Sequence, residues 1–310
     1  MITDTSLLTN TTCLHVSDLD RSIKWYTEFF GVSVIKTVTT DKYKSAFIAL
    51  DSESHPYSGK PVSQRTGVIE LRCLIGVSPD VKIYNGNSAP YRGYGHICFA
   101  VSNLEEAQKQ FLAKGIEFTK KFDEGSLKNI AFILDPDQYW IELIENEINK
   151  KPNVYEITSN RMNHTMFRIK DPEISLKFYR DVLGMKLYSK RVFPSVNFTL
   201  YVLGYEHDPD YVEGLETPLQ LSQRESILEL THEWGTENDD SFEGYYVFGE
   251  DPMAIGFEHV SISSKNSAAF IEYLESADVK FLSKDQDKGI ATITDPDGWK
   301  VEIHSYDYLN

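Results

Sequence analysis

The chain is written twice, and this repeat limits its possible folds more than any other feature. Ser17-Asp18-Leu19-Asp20-Arg21-Ser22-Ile23-Lys24-Trp25-Tyr26 runs on to Phe29-Phe30-Gly31. Lys170-Asp171-Pro172-Glu173-Ile174-Ser175-Leu176-Lys177-Phe178-Tyr179 runs on to Val182-Leu183-Gly184. Gly93-Tyr94-Gly95-His96 recurs as Gly256-Phe257-Glu258-His259, and Asp135-Pro136-Asp137 through Glu142 recurs as Asp295-Pro296-Asp297 through Glu302. A length of 310 residues suits two such halves of roughly 150 residues.

Within each half the pattern reads β-α-β-β-β twice. Strand Thr12 to Val16 leads into a helix from about Leu19 to Phe30, where Ile23, Tyr26 and Phe30 share a face and Gly31 stops the helix. Strands follow at Ser45–Leu50 and Gly67–Cys73. The next module opens on strand Gly95–Val101. Its helix runs Leu104 to Ala113 with Gly115 after it, and it ends on Ile130–Leu134 and Tyr139–Ile144. The second half repeats the plan from Asn163 to Ser305. The expected fold class is therefore α+β, with four βαβββ modules at roughly 8–76, 92–146, 160–236 and 254–306. Residues Glu145 to Arg161 are polar, hold Lys150-Lys151-Pro152-Asn153 and lack an apolar period. They read as a linker of about 148–159 between domains 1–147 and 160–310. Residues 239–251 are acidic and glycine-containing, and read as a loop.

An apolar content of 41% allows two cores, and 13% aromatic residues favour strands. A net charge of −16 argues against nucleic acid or an anionic membrane as partner. It also means that an anionic substrate would need a local basic patch. Cys13, Cys73 and Cys98 are too few and too scattered for a disulfide framework, and read as reduced thiols of a cytoplasmic protein. Met1-Ile2-Thr3-Asp4-Thr5 has no basic or apolar signal pattern, and no apolar run nears the ~20 residues of a membrane helix.

Four strand positions, each occurring twice, carry the chemistry. They are Thr11 and His164, Glu70 and Glu229, His96 and His259, and Glu142 and Glu302. A lone carboxylate buried between leucines and isoleucines costs several kcal/mol unless paired or bound to a metal. For one such glutamate an ion pair is an equal reading, and a single histidine in a strand is more often a hydrogen-bonded core residue. Their coincidence at repeat-equivalent places favours a site of two imidazoles and two carboxylates for Zn²⁺, Ni²⁺ or another first-row dication.

The segments Asn163 to Pro172, Leu228 to Glu237, Arg92 to Ile97 and Ala131 to Glu142 closely resemble glyoxalase I, of the vicinal oxygen chelate superfamily, in its single-chain two-domain form. The resemblance spans nearly the whole chain. It implies two tandem glyoxalase-like domains whose modules pair across domains into two cupped eight-stranded sheets. Modules two and three would build a complete metal site of His96, Glu142, His164 and Glu229. Modules one and four would build a degenerate one of Thr11, Glu70, His259 and Glu302. The distribution of losses supports that pairing. Arg168, Arg92 and Lys120 match the family's glutathione-binding cations, whereas His15 and Ile255 stand at the first two places in the other copy. The loop 122–129, which resembles the family's substrate-covering loop, shrinks to 283–288, and Thr231 to Glu237 has no counterpart after Glu70.

The implied activity is isomerisation of the hemithioacetal of glutathione and methylglyoxal, or another 2-oxoaldehyde, to S-lactoylglutathione or its analogue. Glu142 would be the base on C1, with Glu229 opposite it. Arg92, Lys120, Arg168, Trp140 and Lys128 would contact substrate, and the chain would act as a monomer. Glu233 departs from the family, which has Asn in its Thr-His-Asn-Trp-Gly run. Two other readings remain at this point. One is an extradiol-type Fe(II) dioxygenase using His164, His259 and Glu302. The other is a non-enzymatic member that only binds a small molecule.

Overall fold

The computed structural model of the protein describes residues 4–78, 80–125, 128–247 and 254–309. Residues 1–3, Ser126 and Leu127 of the covering loop, and 248–251 of the acidic loop, all read above from sequence, lie outside them.

Module one is β1 (Leu8–His15), α1 (Leu19–Phe30), β2 (Ser33–Thr39), β3 (Tyr43–Ala49) and β4 (Val68–Leu74). Module two is β5 (Tyr94–Val101), α2 (Leu104–Ala113), β6 (Phe118–Lys120), β7 (Ala131–Leu134) and β8 (Trp140–Glu145). Module three is β9 (Arg161–Ile169), α3 (Pro172–Leu176) running into a π-helical turn, β10 (Lys186–Phe193), β11 (Phe198–Gly204), the short α4 (Pro218–Ser222) and β12 (Ile227–Glu233). Module four is β13 (Phe257–Ser264), α5 (Ser267–Ser276), β14 (Phe281–Asp285), β15 (Ile290–Thr294) and β16 (Lys300–Ser305).

Two eight-stranded sheets result, and each joins one module from either half. One runs β14-β15-β16-β13-β1-β4-β3-β2, the other β10-β11-β12-β9-β5-β8-β7-β6. Modules one and four share the first sheet and modules two and three the second, so the pairing crosses between halves. The seams are antiparallel, β1 on β13 and β5 on β9.

The repeated motifs have local causes. Asp18 caps α1 by accepting from Arg21 N, and Gly31 ends it at φ 73°, donating to Thr27 O. Left-handed backbone there suits glycine. Asp171 caps α3 in the same way. The recurring Asp135-Pro136-Asp137 motif is a turn between β7 and β8 and also a clamp. Asp135 accepts from Asp137 N, Tyr139 N and, at 2.9 Å, the Tyr26 hydroxyl of α1. Asp137 accepts from Ser17 and Arg21. In the second copy Asp295 takes Tyr179 and Asp297 takes Ser175. With Phe30 stacked on Phe99 at 3.9 Å, these clamps tie modules one and two together. The sheets meanwhile tie each to the other half.

The polar stretch read as a linker is pinned. Tyr155 is buried and its hydroxyl donates to Phe29 O at 3.1 Å, and Asn160 donates to Phe30 O and to Tyr155 Oη. Single buried polar contacts do not produce an apolar period, so the pattern missed them.

Candidate metal centre

Alternation along strands brings the repeated histidines and glutamates to one face of each sheet. In the sheet of modules two and three, Cys98 stands in register with His164 across the seam and with Glu142 on β8, and Glu229 stands in register with Met166 on β9. His96 and His164 bring Nε2 to Glu142 Oε2 at 3.1 and 3.0 Å, and the two Nε2 atoms lie 3.2 Å apart. Glu229 Oε1 lies 4.0 Å from His164 Nε2. All four side chains are buried.

Asn163 sets the tautomer of His164. Its amide nitrogen donates to Leu221 O and Arg224 O, each at 2.8 Å, which leaves Oδ1 to accept from His164 Nδ1 at 2.8 Å. In the neutral ring His164 Nε2 then presents a lone pair to the cluster, and in the protonated ring the same nitrogen donates to Glu142. Burial would raise Glu142, but hydrogen bonds from His164 and His96 outweigh it and hold that carboxyl well below its usual range. Burial raises Glu229. Burial would lower His164, yet the charge of Glu229 and the bond to Glu142 raise it. Two buried carboxylates and two imidazoles in contact are a donor set that a divalent cation satisfies. His96, His164 and Glu229 also bring one donor atom each within 4.8 Å of one another. A cavity of about 410 Å³, walled by Phe193, Phe198, Leu200 and Leu219, opens onto Glu142, His164 and Glu229. A larger one of about 680 Å³ lies along residues 80–91 and touches none of these donors.

The equivalent place in the other sheet does not fit a metal. His259 Nε2 lies 3.1 Å from Glu302 and 4.0 Å from Glu70. Thr11 turns its hydroxyl to Asn10 Oδ1 at 2.6 Å. Glu70 is already held by the Arg72 guanidinium at 2.8 Å and by Ser45 at 2.5 Å. Only about 20 Å³ stays open, with Tyr308 and Leu309 among its walls. Cys13, Glu70 and His259 do bring donor atoms within 4.8 Å of one another. Burial pushes the Cys13 thiol up, however, and burial followed by the Arg72 charge pushes His259 well down. A guanidinium already holds the cation's place. His164 lies in one sheet and His259 with Glu302 in the other, so the dioxygenase triad is not assembled.

At the far end of β9 and β12, Arg92 and Arg168 converge on Glu233. Arg92 Nη2 bonds Glu233 Oε1, and Arg168 Nε lies 3.4 Å from the same oxygen. Arg168 also donates to the carbonyls of Gly93 and Tyr94. Burial, then the neighbouring Arg92, pushes Arg168 down to about 10. Lys120 and Lys128 stand outside this cluster and hold the loop: Lys120 Nζ bonds Ile130 O at 2.7 Å, and Lys128 Nζ bonds Asp123 O. Trp140 packs on Phe132, with ring centroids 5.5 Å apart.

The glyoxalase/bleomycin resistance protein/dioxygenase superfamily model matches residues 9–143 and again 161–303. The chain belongs to this superfamily. It is 40% identical to Glyoxalase I of Saccharomyces cerevisiae, across 97% of its own length and 93% of the relative's. It is also 40% identical to lactoylglutathione lyase of Schizosaccharomyces pombe, across 95% of each chain. In structure it matches glyoxalase I from Zea mays with a TM-score of 0.69 and 26% identity, covering 97% of this chain and 93% of that one.

Three further residues shape the site; Asn163 opens a segment that carries the family resemblance, whereas Tyr245 and Arg191 carried no motif signal. Asn163 orients His164. Tyr245, from the acidic loop, donates to Glu233 at 3.3 Å. Arg191 lines the metal-side cavity. The aromatic content of the loop, Phe242-Glu243-Gly244-Tyr245-Tyr246, was the available hint for Tyr245.

Proposed function

We propose that the chain isomerises the hemithioacetal of glutathione and a 2-oxoaldehyde such as methylglyoxal to the S-2-hydroxyacyl-glutathione, at one site built from His96, Glu142, His164 and Glu229. The observation that carries this reading is the closure of all four donors into one buried cluster beside two convergent arginines. The full-length likeness to lactoylglutathione lyases supports it.

Glu142 takes the proton from C1, and Glu229, on the opposite side of the cluster, handles the proton that arrives at C2. No atoms are gained or lost, since the substrate's own C1 hydroxyl becomes the thioester carbonyl. A divalent metal held by the four residues, Zn²⁺ or alternatively Ni²⁺, would supply Lewis-acid stabilisation of charge on the two vicinal oxygens. Asn163 keeps His164 oriented. Arg92 and Arg168 bind a glutathione carboxylate through their guanidinium forks.

Each sheet is completed by strands of one chain, so a monomer holds a whole site. The three cysteines are free, as in a cytoplasmic protein. The test is thioester formation from pre-equilibrated glutathione and methylglyoxal by metal-loaded protein. Turnover abolished by chelation and restored by Zn²⁺ or Ni²⁺ is expected. Lack of turnover with any dication would refute the reading.

A further inference from the structure

Of the basic side chains that line the cavity beside the metal donors, Lys128 and Arg191, only Arg191 has no hydrogen-bond acceptor among the described residues. Glu145 and Glu147 line it, but Lys150 lies 2.5 Å from Glu145 and 4.0 Å from Glu147. Lys128 lines it and is bonded to Asp123 O. Arg191 lines it too, and among the described residues its side chain makes no hydrogen bond and no ion pair. Its nearest polarisable neighbour is the Phe193 ring, 5.7 Å from its guanidinium carbon. The remaining wall is apolar, including Phe198, Leu200 and Ile227.

Strand register places this guanidinium. Arg191 pairs with Leu200, and Leu200 pairs with Thr231, two residues beyond Glu229. Arg191, Leu200, Thr231 and Glu229 therefore share the metal-side face. Arg191 stands about 10 Å from β12, two strand spacings, within reach of a long side chain. A cation on an edge strand often only guards against pairing with another chain. Here Lys190 already faces the opposite side, over the Tyr201 ring at 5.5 Å. Arg191 points instead into the cavity that Glu142 and Glu229 also line, and it forms an ion pair with neither of them.

The two ends of the site are also distinct. Arg92, Arg168 and Glu233 lie toward the end of β9 and β12, and none of them lines this cavity. If the two vicinal oxygens of the hemithioacetal face the donor cluster, its sulfur substituent and its 2-oxoaldehyde side chain leave in opposite directions. With the peptide on the arginine pair, the side chain enters the cavity of Arg191.

Resting on the isomerase reading, we propose that Arg191 makes this cavity a subsite for 2-oxoaldehydes whose side chain ends in a carboxylate, so that the chain prefers acidic 2-oxoaldehydes over neutral ones of the same length. The apolar wall takes the methylene chain and the guanidinium takes the terminal anion by a charge-assisted bond. A divalent metal would offset the charges of Glu142 and Glu229, leaving Arg191 as the charge an incoming anion meets.

The test compares kcat/KM for the glutathione hemithioacetals of 4,5-dioxopentanoate and 2-oxopentanal, with methylglyoxal as reference, in metal-loaded wild-type protein and in the Arg191→Gln and Arg191→Glu variants. Wild type is expected to favour the carboxylate substrate by about tenfold, the scale of one charge-assisted bond. Arg191→Gln should remove the preference and Arg191→Glu should invert it. Equal kcat/KM in wild type, or a preference that survives in both variants, would overturn the assignment of Arg191 while leaving the isomerase reading intact. Absence of turnover with all three substrates would remove the isomerase reading itself, and this inference with it.

Discussion

Arg72 holds Glu70 at 2.8 Å two residues further along the same strand, at the position where Thr231 follows Glu229 in the other sheet. Two differences, Arg72 for Thr231 and Thr11 for His164, thus separate two otherwise parallel clusters. In the first sheet the positive charge among the glutamates is part of the protein. In the second it has to come from outside.

This difference predicts unequal roles for the matched glutamates. Glu142→Gln should lower isomerase kcat by about 10³-fold or more, since it removes the base at C1. Glu302→Gln should change it little. Steady-state kinetics on both variants decides, and similar losses would mean that the first sheet is also active.

Arg72 should be structural. Arg72→Ala leaves Glu70 buried without its partner and is expected to cost about 3 kcal/mol in denaturant unfolding. Arg72→Thr combined with Thr11→His recreates the pattern of the second sheet, and should bind a second dication, read by calorimetry. No added binding would show that the closed volume beside Tyr308, rather than the guanidinium, excludes the metal.

Glu302 sets a pH dependence. Burial, then the charge of Glu70, raises its pKa from 4.5 to about 7. An acid raised by folding favours the native state while protonated. Its penalty is therefore absent below about 4.5, grows through that window, and is complete above about 7. Glu302→Gln should raise Tm at pH 8 more than at pH 4.5. An equal change at both pH values would contradict the assignment.

Glu233 stands where the family has Asn, and a carboxylate there would by itself repel the anionic glutathione. The structure instead shows it neutralising the two arginines that would bind the peptide. Glu233→Asn should free them, lower KM by about tenfold with kcat unchanged, and steepen the rise of KM with salt. A higher KM would mean that Glu233 is a partner of the substrate's ammonium group.

Much of this was legible in sequence. The module order came from the repeat. The cross-pairing was implied by the family resemblance and supported by the gathering of Thr11, His15 and Ile255 in one site, and the donor positions came from glutamates set in apolar strands. Arg72 was overlooked because an arginine two residues from a glutamate on a strand reads as an ordinary surface pair. Only the burial of Glu70 makes its partner a stand-in for a metal. Arg191 and Tyr245 were missed for a related reason. Their neighbours are set by strand register and by a returning loop, and neither leaves a local pattern.

The most direct test is metal stoichiometry in the wild type and in two matched variants, by elemental analysis after removal of loosely bound ions. One dication per chain is expected in the wild type, none in His96→Ala, and one retained in His259→Ala. Two per chain in the wild type, or loss in His259→Ala with retention in His96→Ala, would contradict a single metal centre built from His96, Glu142, His164 and Glu229.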